Sequence, residues 1–84
     1  MAHGRQIFLD SAADMRWLVE VHLPATVKVG TFKSAILYGN EDSPSRVELF
    51  KAKSPKVTDT CVVYQYSNHD GRLVRTGTSK PGIG

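Results

Sequence analysis

The chain has 84 residues, 40% of them hydrophobic and 23% charged, with a formal net charge of +3. That length suffices for one small domain, and the composition excludes a wholly disordered chain. A domain of this size buries only about 60–65% of its unfolded surface, which leaves a narrow margin for supporting a strained catalytic site.

Residues 6–9 (Gln-Ile-Phe-Leu) read as a short first strand. From 15 to 23 the odd positions Met15, Trp17, Val19, Val21 and Leu23 alternate with Arg16, Glu20 and His22. This is the period of a half-buried strand, with Leu18 as the exception. A helix competes for the same stretch. Ser11 and Asp14 form a capping-box-like pair, and Ala12, Met15, Leu18, Val19 and His22 would share one helical face. Trp17 and Val21 lie off that face, so the expectation is a helical turn at 11–14 leading into a strand, with Trp17 partly or wholly in the core.

Pro24-Ala25 interrupts the chain, and 26–38 resumes as β with a bend or bulge at Gly30. Residues 39–45 (Gly-Asn-Glu-Asp-Ser-Pro-Ser) have the composition of a loop. Over 46–52 the alternation turns Val47 and Leu49 one way and Arg46, Glu48 and Phe50 the other. Residues 53–59, containing Pro55, connect to 60–66, the most β-rich run in the chain. Asn68-His69-Asp70-Gly71 then turns the chain into 72–76, with Gly71 supplying a positive φ. In this reading Val62, Tyr64 and Tyr66 share a face with Arg72, Val74 and Thr76. The other face takes Cys61, Val63, Gln65, Leu73 and Arg75.

These elements predict a mainly β fold, a small antiparallel sheet of five or six strands rolled as a barrel or packed as a sandwich. An α+β arrangement with a helix at about 12–22 is the alternative. Residues 1–76 are expected to form one domain and 77–84 a flexible Gly/Pro-containing tail.

Chemistry-bearing residues are scattered. The one cysteine, Cys61, allows no internal disulfide. No apolar run approaches the ~20 residues of a membrane span. Residues 1–10 lack the apolar stretch of a signal peptide, and together these features point to a cytoplasmic protein with no membrane association. His3, His22, His69 and Cys61 occur singly, without the close pairs of a metal site. No Gly-x-Ser-x-Gly elbow is present, and the run Gly77-Thr78-Ser79-Lys80 lacks the Gly-Lys-Ser/Thr of a phosphate loop. The expectation is a non-enzyme without metal or cofactor.

What remains is surface. The second half carries Arg46, Lys51, Lys53, Lys56, Arg72, Arg75 and Lys80 against Glu48, Asp59 and Asp70, a net +4, while the first half sums to −1. Phe50 flanked by charges has the outline of an interface anchor, because aromatic residues and arginine dominate binding hot spots. The candidate partner-binding residues are Arg46, Phe50, Lys51, Lys53, Tyr64, Tyr66, Arg72 and Arg75. They favour a protein-binding module (adaptor, inhibitor or assembly subunit), with single-stranded nucleic-acid binding by a basic, aromatic sheet face as the alternative. An open edge strand would also permit a homodimer.

Overall fold

The computed structural model describes residues 5–18, 23, 28–40 and 43–81. Five antiparallel strands form one sheet in the order β1-β2-β3-β4-β5: β1 is Arg5–Phe8, β2 Ser34–Asn40, β3 Ser43–Phe50, β4 Cys61–Ser67 and β5 Arg72–Ser79. The mainly β class is as the sequence predicts, and the sheet is not closed into a barrel. No helix among the described residues is long and apolar enough to cross a membrane.

One helix, α1 (Ala12–Trp17), follows β1. Ser11 is its N-cap, in extended conformation, and its side chain accepts from the Asp14 amide at 3.4 Å. The predicted strand over 15–23 is therefore replaced by helix as far as Trp17, and 19–22 lie outside the described residues. Local capping and the good helix formers Ala12, Ala13, Met15 and Arg16 outweigh the two-residue alternation. Leu18, the misfit of the strand reading, is fully buried, and Trp17 packs against the core from a partly buried position.

Residues 26–38 also depart from a continuous strand. A single 3₁₀ turn occupies Val29–Thr31, and β2 begins at Ser34; 24–27 lie outside the described residues. The predicted 39–45 loop is shorter than its composition suggests, because β2 continues through Asn40 and β3 starts at Ser43. A bulge between Tyr38 and Gly39 gives the hairpin its bend. Gly39 holds φ +90, and a Cβ there would stand 2.9 Å from Ser45 Oγ.

Cross-strand register divides the side chains between two faces. Ile7, Ala35, Leu49 and Val62 form one rung, and Leu37, Val47 and Tyr64 the next. Leu9, Leu18 and Leu23 pack onto this face and complete the main core. The opposite face carries a second cluster of Ile36, Tyr38, Phe50, Cys61 and Val63. Across that face the connection 51–60 is held to the first two strands. Ser34 Oγ donates to the Ala52 carbonyl at 2.6 Å, and Gln6 Nε2 donates to the Lys53 carbonyl at 2.9 Å.

The β4–β5 hairpin forms with Gly71 at φ +68, as the Asp-Gly turn requires. Its facing differs from expectation. Ser67 pairs with Arg72, Tyr66 with Leu73 and Tyr64 with Arg75, because an even number of loop residues sets odd positions opposite even ones. Tyr64 and Tyr66 thus share their face with Leu73 and Arg75, not with Arg72 and Val74. A second bulge, with Thr76 as the extra residue, then brings Val62 opposite Thr78 and Cys61 opposite Ser79. Residues 77–79, assigned to a tail in the sequence reading, are the last rungs of β5; 82–84 lie outside the described residues.

Candidate functional site

Two of the predicted surface aromatics are core residues. Phe50 is only 1% exposed, so it is not a surface anchor. No bulge turns it inward. It pairs in register with Ser34, and its own face is buried. Tyr64, at 6% exposure, belongs to the main core. Tyr66 is the exception, with half of its surface open at the hairpin end of β4.

The basic candidates form separate groups. Lys51 and Lys53 are exposed at the start of the connection leaving β3, beside Phe50 and the β1 end of the sheet. Lys53 Nζ reaches Asp10 Oδ2 at 2.8 Å and lies 5.6 Å from the Phe8 ring centroid. The hydrogen bond from Lys53 holds the Asp10 carboxyl below the usual carboxylate range. Arg72 and Arg75 are exposed on β5, beside Ser67 and Tyr64 at the other end of β4. Tyr66 and Arg75 are diagonal neighbours on one face, within reach of long side chains.

Arg46 belongs to a third arrangement, which the sequence reading missed. Its terminal Nη2 bonds Glu48 Oε2, while the Tyr38 hydroxyl donates to Glu48 Oε1 at 2.9 Å. The Arg46 guanidinium also lies 5.7 Å from the Tyr38 ring centroid. Glu48, read from sequence as solvent-facing, is fully buried. Burial first, and then the bond to Glu48, pushes the Tyr38 phenol well above its ordinary value, so the hydroxyl remains a donor through the neutral range. Arg46 Nε is buried without an acceptor. The signal for this cluster was the i, i+2 spacing of Arg46 and Glu48, but only the hairpin register sets Tyr38 beside them.

A cleft of about 320 Å³ opens beside this cluster, lined by Tyr38, Ser45, Arg46 and Gln65. The Tyr38/Gly39 bulge accounts for Ser45 and Arg46 both reaching it, since two residues there oppose one. With both oxygens of Glu48 engaged, the cluster ties β2 to β3. The cleft offers guanidinium, amide and hydroxyl groups together with a nearly equal share of apolar surface.

Cys61 is buried on the second cluster's face, with Sγ 3.1 Å from the Ser79 carbonyl oxygen, and burial pushes its thiol up. His69 sits in the turn beyond the far end of β4 from Cys61, so the two do not meet. Among the described residues no group of three or more His, Cys, Asp or Glu could hold a metal ion. Comparison with family models, curated proteins and solved structures finds no match.

Proposed function

We propose that the protein is a small non-enzymatic protein-binding module, an adaptor, inhibitor or assembly subunit, acting through the basic β4–β5 side of its sheet. The observation that carries this reading is the exposed Tyr66 standing diagonal to Arg75 on one face, with Arg72 exposed on the other face of the same hairpin. An aromatic ring and arginines on a rigid hairpin form the composition of a binding hot spot. The charge of the chain's second half adds long-range attraction for an acidic partner.

Single-strand binding requires successive stacking rings. Tyr64 and Phe50 are buried, which leaves Tyr66 alone on this hairpin. Capture from nuclease-treated host lysate tests the protein-binding reading, with the wild type compared against R72E/R75E and K51E/K53E variants. The expected result is a specific protein retained by wild type and K51E/K53E and lost by R72E/R75E. Recovery of nucleic acid alone before nuclease treatment, and of nothing after it, contradicts the reading.

A further inference from the structure

We propose that the open edge of β5 takes an extended acidic segment of a partner protein as a sixth strand, paired along residues 72–75. The proposal rests on the protein-binding reading above and specifies its surface and the chemistry of the partner. β1 and β5 are the ends of the sheet order, and no described residue is bonded to the outer side of β5. β1 offers four residues, whereas β5 has eight. An open edge presents unpaired N–H and C=O groups, a template for one more strand.

The bulge limits where that strand can lie. Thr76 interrupts the ladder, so regular geometry runs from Arg72 through Leu73 and Val74 to Arg75. Arg72 and Arg75 are three positions apart and therefore stand on opposite faces of the pleat. β5 contains no acidic residue, and Lys80 follows it.

This pattern discriminates between occupants. A second copy paired antiparallel across a two-fold axis keeps each face of the sheet continuous and so must centre on a residue. About Leu73 it sets Arg72 diagonal to the other copy's Arg72, and about Val74 it sets Arg75 diagonal to the other copy's Arg75. In either register like charges meet across the seam and no carboxylate answers them, which disfavours self-pairing. A segment with carboxylates three positions apart and β-formers between them sets an opposite charge against each arginine. Tyr66 shares the Arg75 face on β4, one strand in from this edge. The charges that oppose self-pairing thus select an acidic partner.

Amide hydrogen exchange on the full chain tests the proposal, using a capped peptide with the core Glu-Val-Thr-Glu and its Lys-Val-Thr-Lys counterpart. At saturation the acidic peptide is expected to slow exchange about tenfold or more at amides of 72–75 that point away from β4. The lysine peptide should leave those amides unchanged. R72E/R75E should reverse the preference by about tenfold, since two attractive pairs become repulsive. Unchanged exchange at β5 with millimolar acidic peptide overturns the proposal. So does protection of the β5 edge without peptide at dimer mass, which would make a second copy the occupant. A lysate partner captured equally by wild type and R72E/R75E sinks both the β5 edge and the β4–β5 surface while leaving protein binding through another surface standing; capture of no protein by either sinks protein binding itself.

Discussion

Tyr38 on β2 donates its hydroxyl hydrogen to the carboxylate of Glu48 on β3 at 2.9 Å, and the same carboxylate binds the guanidinium of Arg46. Removing either of these partners would leave more of the buried carboxylate's desolvation cost without compensation. A one-residue slip between β2 and β3 would turn Glu48, together with Arg46, toward the main core and away from Tyr38. The cluster therefore contributes to register as well as to stability.

Tyr38→Phe should cost about 1–3 kcal/mol, because the variant keeps the ring in place and leaves Glu48 Oε1 without this donor. Urea unfolding measures it directly. A loss below a few tenths of a kcal/mol would mean that the hydroxyl contributes nothing net to the fold.

Alkaline pH should destabilise the protein through the same residue. The Tyr38 phenol is raised above its ordinary value of 10.0 and the Cys61 thiol above 9.0, so above those values the unfolded chain holds fewer protons than the folded one. Stability is full below about pH 9 and falls as pH rises beyond it. Tyr38→Phe should make the decline above pH 10 shallower than in wild type, as read from urea midpoints across the range. Parallel profiles for the two proteins would contradict the assignment.

Phe50→Ala and Tyr66→Ala should behave oppositely. Removing the buried Phe50 ring should cost about 3–5 kcal/mol, enough to unfold much of so small a domain. Removing the exposed Tyr66 ring should change stability by about 0.5 kcal/mol or less and instead weaken partner capture. Equal stability losses at the two positions would contradict the burial of Phe50 and the exposure of Tyr66.

The strands from β3 onward were legible because their alternation and the Asp-Gly turn agree with the fold. The helix was not assigned correctly, since Met15, Trp17 and Leu23 satisfy a strand period while the Ser11 cap and the burial of Leu18 belong to a helix. Phe50 and Glu48 were read as exposed on the premise that one face of the sheet meets solvent. The second cluster, with Ile36, Cys61 and Val63 beside Phe50, removes that premise. Period-two alternation says which residues share a face, and only tertiary packing decides whether that face is covered. The cluster of Tyr38, Arg46 and Glu48 depends on hairpin register, and the facing of Arg72 and Arg75 depends on loop parity. Neither quantity is encoded in local composition.

The claim that the protein binds a partner through its β4–β5 side is tested most directly by NMR of the isotopically labelled chain in nuclease-treated host lysate. The account predicts selective broadening of amide signals from Tyr66 and residues 72–75, with those of Lys51 and Lys53 unaffected. Broadening confined to Tyr38, Ser45, Arg46 and Gln65 around the cleft, or to the Lys51–Lys53 end, would contradict it.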